Sequence, residues 1–269
     1  MAIPPSNDLA ADQIKLGEAI QAIGADVIGI QEVDEQLARS GNVSQTAVVA
    51  EAMSTQHWGF APVMVGAPGE KWRKLNSLDA KVITLENVQA NRQSNVDGNY
   101  GIGIVSKVPV KHWDRLELGN SPFGMPLVIP AENKKGKQSV RMIYVADEPR
   151  VAIIADVETP LGTVTVATTH LSFVPGFNVS QLRKLTKHLS NRTNPVIIFG
   201  DFNLPGKTAK LVSRWDSLAE LPTYPTFKPR IQFDHVISRG LDDATIQRAR
   251  DSALAMQLAI SDHCALVVE

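Results

Sequence analysis

At 269 residues, with 43% apolar and 20% charged side chains, the chain has the size of one large layered domain and none of the composition of a disordered one. A formal net charge of −1 and a pI near 6.6 argue against a protein that coats nucleic acid mainly by charge, although a local basic patch stays open. The single Cys264 excludes an internal disulfide and suits a reducing compartment.

No run of about 18 apolar residues reads as a membrane span. The opening MAIPPSNDLA has neither the basic nor the apolar region of a secretory signal, so a cytoplasmic protein is expected. Leu16, Ile20 and Ile23, spaced by four and three, predict a helix over 10–23 that Gly24 stops. ADVIGIQ (25–31) reads as a buried strand, and a second amphipathic helix is predicted over 43–56. Residues 60–99 are turn-rich and weakly periodic. Strand patterns return at IGIVS (102–106), VAIIADV (151–157) and GTVTVATTHL (162–171). Residues 119–138 read as an irregular Gly/Pro-rich excursion with Gly136 at a turn. SQLRKLTKHL (180–189) puts Leu182, Leu185 and Leu189 on one helix face, with Ser180 as N-cap. Then come a strand at VIIF (196–199), a short helix around 207–218, a strand at IQFDHVI (231–237) and a final strand at CALVVE (264–269). No repeat, linker or low-complexity boundary appears, so residues 1–269 are read as a single α/β domain with mixed sheets.

Several of these strands share an oddity. Each carries a carboxylate, amide or histidine at or just beyond its apolar run: Glu32, His170, Asp201 with Asn203, Asp234, and Asp262 with His263. Any one of them reads alone as a turn or cap residue. Strand ends of α/β sheets converge, however, and buried carboxylates are costly unless paired or bound to a cation. Oxygen donors without cysteine suit a hard cation, Mg²⁺ or Mn²⁺.

The motifs IGIQEVD, TTHLS, GDFN, FDHVI and the terminal SDH occur in one order. From about residue 10 onward the chain resembles the endonuclease/exonuclease/phosphatase superfamily, which includes DNase I-like nucleases, exonuclease III-like repair enzymes, inositol polyphosphate 5-phosphatases and neutral sphingomyelinases. The resemblance implies a DNase I-like four-layer sandwich, two packed mixed β-sheets flanked by helices. It also implies a divalent-metal phosphoesterase that hydrolyses phosphodiester bonds by water attack at phosphorus. On this basis Glu32 ligates the metal, and Asp262 supports it directly or through water. Asp201 orients or deprotonates the attacking water, and Asn203 hydrogen-bonds water or phosphate. Asp234 holds His263 in one tautomer, as base or cationic phosphate clamp, while His170 meets the phosphate from the other side, with general acid as a further role. EPRVA (148–152) resembles the family's strand that brings an arginine, here Arg150, near the substrate phosphate. Tyr100 is a second phosphate contact, with a plain sheet-edge tyrosine as the alternative. The implied partner is a phosphate-ester substrate, nucleic acid among the candidates, and the protein is expected to be a monomer. Alternatives on the same frame are a phosphomonoesterase, a lipid phosphodiesterase, or an inactive truncated domain.

Two departures stand out. The family opens with a strand ending in a metal-site Asn, whereas here MAIPPSND alone precedes the first helix. Asn7 reads as a helix cap, and the expectation is a missing first strand with Met1 an internal methionine. Ile102 also stands where many relatives carry Asn. GDFNLPGKT mimics a phosphate-binding loop, but five residues, not four, separate Gly200 from Gly206, which excludes an NTPase. The absence of a G-x-S-x-G elbow excludes a serine hydrolase of that type. Trp72 within EKWRKLN reads as part of a solvated loop, and Lys134, Lys135 and Lys137 as an exposed turn. His57, His112 and His188 read as surface or partly buried residues, and His235 faces away from Asp234. Substrate choice is expected to lie in loops 60–99, 119–138 and 172–178.

Overall fold

The computed structural model describes residues 8–70, 72–76, 80–94, 96–132 and 138–269. The expectations for Asn7 and the segment before it, and for Lys134, Lys135, Gly136 and Lys137, lie outside the described residues. Helix α1 (Leu9–Ile23) begins where the Asp8 carboxylate accepts the Ala11 N–H at 3.0 Å, and it ends at Gly24 in the left-handed region, φ 68°. Strand β1 (Val27–Glu35) follows, then α2 (Gln45–Ala52), which Ser44 caps through the Ala47 N–H. Strand β2 (His57–Val65), the two-residue strands β3 (Arg73–Lys74) and β4 (Ile83–Thr84), helix α3 (Val88–Ser94) and strand β5 (Asn99–Ser106) complete this half. β5 lies between β1 and β2, β3 and β4 pair with β2, and every one of these pairs is antiparallel.

The weakly periodic stretch 60–99 thus hides most of a central strand. β2 is buried along nearly its whole length, so no polar alternation marks it. Pro62 is tolerated there because the β2–β5 register shifts just beyond it.

The second half carries β6 (Val110–Gly119), the hairpin β7 (Met125–Glu132) and β8 (Gln138–Val145), then β9 (Arg150–Thr159) and β10 (Gly162–His170). The excursion 119–138 is therefore largely hairpin, whose prolines sit in a two-stranded ribbon. Helix α4 (Phe177–Leu189) starts before Ser180, with Gly176 at its N-cap position, so Ser180 is an interior residue and caps nothing. Strand β11 (Val196–Asp201), helix α5 (Thr208–Ser213), the two-residue β12 (Asp216–Ser217), β13 (Asp234–Arg239), α6 (Asp243–Ser252), β14 (Leu254–Met256) and β15 (Ala265–Val267) follow. The sheet order is β12–β13–β11–β10–β9–β6, with one parallel pair, β10 and β11, joined by the α4 crossover.

The two sheets pack face to face. Ile102, Ile104 and Met64 from the first meet Val151, Ile153, Ala155 and Val166 from the second. On the outer face of the first sheet, Leu16 and Ile20 of α1 and Val49 of α2 bury Ile28, Ile30 and Trp58. On the outer face of the second, Leu182, Leu185 and Leu189 of α4 bury Ala167, Val196 and Ile198. Four layers result, helices outside and sheets within. Among the described residues, no helix is long and apolar enough to cross a membrane.

Candidate active site

Strand register assembles the first three groups. Parallel pairing sets His170 opposite Asp201, and antiparallel pairing sets Asp201 opposite Asp234. Adjacent strands lie about 4.8 Å apart, so a histidine and two carboxylates stand side by side at the rim of the second sheet. Gly200 permits this exit: its φ is 136°, and a Cβ there would fall 2.2 Å from the Thr169 carbonyl oxygen. The apolar run before it anchors Asp201 rigidly.

Glu32 arrives from the other sheet by a different device. Ile30 pairs with Gly103 and Val33 with Gly101, so Gln31 and Glu32 together oppose Ile102 in a β-bulge. The extra residue keeps Ile28, Ile30 and Val33 in the helix-side core while breaking alternation at Glu32. Glu32 adopts φ 57°, an unfavourable conformation for a side chain of this kind. Gln31 braces the bulge by donating to Thr168 Oγ1 at 2.9 Å across the sheet interface.

The side chains then form one line. Glu32 Oε1 lies 3.9 Å from His170 Nδ1, and His170 Nε2 lies 3.6 Å from Asp201 Oδ2. His263 Nε2 approaches the same oxygen at 4.0 Å, and His263 Nδ1 hydrogen-bonds Asp234 Oδ2 at 2.8 Å. The Tyr224 ring packs against His263 at 4.8 Å. Asn203, at φ 49°, donates its backbone N–H to Asp201 Oδ1 at 2.8 Å and its side-chain amide to the Leu171 carbonyl at 2.9 Å. It thereby ties Asp201 to the chain leaving His170. His235 points away, onto the Leu204 carbonyl at 2.7 Å and against Phe202, as strand alternation requires.

Burial, followed by the positive charge of Arg150, holds His170 well below the ordinary histidine range, so its ring is neutral at pH 7. Burial pulls His263 down as well. The hydrogen bond and charge of Asp234, with the charges of Asp201 and Asp262, overcome it and lift His263 to about 9. Asp201 is pushed up from the usual carboxylate range, first by burial and then by Asp234. The two histidines therefore differ in charge although both approach Asp201.

Glu32 and His170 also line a small cleft with Tyr100, Ile102, Glu148 and Arg150. Arg150 is 5% exposed, its Nη2 3.6 Å from Asp147 Oδ1 and 3.8 Å from Glu148 Oε2. Tyr100 sits on the central strand β5, not at a sheet edge, and burial together with Glu32 and Glu148 keeps its hydroxyl protonated. Asp262 stands apart. It is exposed, and it touches the site through its charge on His263 and Tyr224. Glu148, Asp147, Gln31 and Tyr224 escaped sequence reasoning. The acidic pair just before Arg150 was the available signal for the first two.

Among the described residues, no three Asp, Glu, His or Cys side chains close on one point as a full metal cage. The donors fit a hydrated hard cation instead. Glu32 and Glu148 share the cleft with one guanidinium, and burial plus the charge of Glu32 pushes Glu148 up despite Arg150. Mg²⁺ is commonly held by one or two carboxylates with water completing the shell.

Residues 3–263 match the model of the Endonuclease/Exonuclease/phosphatase family. Among solved structures, the chain is similar to an endonuclease/exonuclease/phosphatase family protein from Leptotrichia buccalis C-1013-b. Identity is 14% and the TM-score 0.56, over 98% of this chain and 95% of that one. A humanized D. rerio TDP2 matches at 14% identity and TM-score 0.54, over 96% and 90%. A mannosyl-6-phosphatase from Bacteroides thetaiotaomicron VPI-5482 matches at 13% and 0.51, over 96% and 91%. These likenesses concern the fold. No curated protein matches the chain.

Proposed function

The chain belongs to the endonuclease/exonuclease/phosphatase family, whose members hydrolyse phosphate esters, and on that premise we propose that it is a divalent-metal-dependent phosphodiesterase. The observation that carries this reading is the continuous line Glu32–His170–Asp201–His263–Asp234, in which a raised carboxylate stands between a neutral and a cationic imidazole.

A general base works best when its affinity for protons matches the working pH, and burial moves Asp201 in that direction. Asp201 takes a proton from water as the water oxygen bonds to phosphorus, and the bond from phosphorus to the leaving oxygen breaks. Asn203 holds Asp201 through its backbone N–H. His263, kept cationic by Asp234, holds a phosphoryl oxygen as its charge grows. Neutral His170 donates a hydrogen bond to the phosphate, and Arg150 and the Tyr100 hydroxyl receive it from the cleft side. Glu32 would hold Mg²⁺ or Mn²⁺, which supplies polarisation of the phosphoryl oxygen and stabilisation of the leaving oxygen. Asp262 contributes by keeping His263 charged.

A phosphomonoesterase is the second reading, favoured by the nearly complete burial of Arg150 in a small cleft that suits a terminal phosphate. Purified protein offered bis-p-nitrophenyl phosphate and p-nitrophenyl phosphate with Mg²⁺ or Mn²⁺ separates the two. The diester should turn over faster, and EDTA should abolish turnover. Preference for the monoester selects the second reading. Turnover that survives EDTA, or hydrolysis of neither ester, overturns both.

A further inference from the structure

Among the arginine–aspartate pairs of the described residues, two of the more buried ones differ in closure. Arg39 grips Asp34 through two hydrogen bonds of 2.8 and 2.7 Å, the fork geometry that arginine and carboxylate adopt when left to themselves. Arg150 and Asp147 are more deeply buried, at 5% and 0% side-chain exposure, yet they stop at 3.6 Å. Arg150 Nε and Asp147 Oδ1 are both buried without a hydrogen-bond partner among the described residues. Burying a charged pair without closing it forgoes much of the attraction that offsets desolvation.

The reason lies on the other oxygen. Asp147 Oδ2 accepts the Ser121 backbone N–H at 2.6 Å and the Ser172 hydroxyl at 2.8 Å. Ser172 is fastened in turn, its N–H donating to Gln181 Oε1 at 2.8 Å, and Gln181 Nε2 donates to the Gly119 carbonyl at 3.0 Å. These bonds pull the carboxylate toward the loops after β6 and β10. The guanidinium is left beside the cleft with no side-chain hydrogen bond among the described residues, with Glu148 Oε2 at 3.8 Å and the Phe173 ring 5.9 Å from its central carbon.

We propose that Asp147 is a positioning residue. It holds Arg150 in place by charge without consuming its hydrogen-bond donors, so that they stay available to a substrate phosphate, and it links this grip to the 172–178 loop through Ser172. The inference rests on the phosphoesterase reading, and it concerns ground-state phosphate binding more than the chemical step. A closed pair would turn the guanidinium away from an incoming oxygen, whereas an absent one would leave a lone buried cation free to shift.

The test is a double-mutant cycle on phosphate affinity, read by calorimetric titration with inorganic phosphate and by KM for the diester. Asp147→Asn keeps the shape and removes the charge. It should weaken phosphate binding and raise KM by about tenfold or more, with a much smaller effect on kcat. In an Arg150→Gln background the same change should have no further effect on affinity. Ser172→Ala, which removes one bond to Oδ2 and no charge, should shift affinity in the same direction by less, and it serves if Asp147→Asn fails to fold. Wild-type affinity in Asp147→Asn, or an equal loss with and without Arg150, overturns the inference while leaving the functional reading standing. So does unchanged affinity in Ser172→Ala when Asp147→Asn is unfolded. Wild-type protein that neither binds phosphate nor hydrolyses either ester overturns the functional reading and this inference with it.

Discussion

Asp234→Asn isolates the contact that sets the charge of His263. Asp234 Oδ2 lies 2.8 Å from His263 Nδ1, and its hydrogen bond and charge do most to lift this histidine from 6.5 to about 9 against burial. A net shift of that size corresponds to about 3 kcal/mol, left after Asp234, Asp201 and Asp262 together have overcome burial. The sign follows from linkage. Between 6.5 and about 9 the folded protein holds a proton on His263 that the unfolded chain has released, so this contribution is complete below 6.5 and is lost as pH rises through 9. Asparagine retains an oxygen acceptor and removes the charge. The assay is an NMR titration of the His263 ring protons in metal-free protein, paired with urea unfolding at several pH values. His263 should titrate below about 8 in the variant, and the stability gap from wild type should narrow between pH 6.5 and 9. Equal His263 titration in the two proteins would refute the claim that Asp234 controls its charge.

Asp201→Asn keeps the contact to the Asn203 N–H and should lower kcat by about 10²–10⁴ with little change in melting temperature. Undiminished turnover would remove Asp201 from the role of base. Glu32→Gln should weaken Mn²⁺ binding by at least about tenfold in a calorimetric titration, whether or not the protein is active. Gly29→Ala places a Cβ 2.3 Å from Phe199 Cε2 and 2.6 Å from Thr168 Oγ1, at the interface between the sheets. It should cost about 1–3 kcal/mol in urea unfolding, and a neutral result would mean that this interface is looser than its packing implies.

Much of the fold lay open in the chain because it rests on local patterns. Helix α1 announces itself by the Leu16–Ile20 stripe and stops at Gly24 for a backbone reason, and VIIF followed by Gly200 marks a strand and its exit. Strand β2 stayed hidden because burial on both faces erases alternation. Helix α6 stayed hidden because only Ile246 and Ala249 of its residues are buried, too few to form a stripe. Ser180 misled because a serine ahead of a leucine stripe looks like a cap wherever the preceding turn is unmarked, and here Gly176 takes that position.

By itself the sequence determined the inventory of the site: which strands end in carboxylate, amide or imidazole, and that oxygen donors dominate, since these depend on residue identity and short-range periodicity. Tertiary structure decided how those groups behave. His170 and His263 are the same residue type near the same Asp201, yet one is neutral and the other cationic, because burial and then Arg150 hold the first down while Asp234 overcomes burial at the second. Glu32 reaches them through a bulge that exists only once β1 has found β5. Protonation and aim are set by neighbours distant in the chain, and only the folded molecule brings those neighbours within a few ångströms.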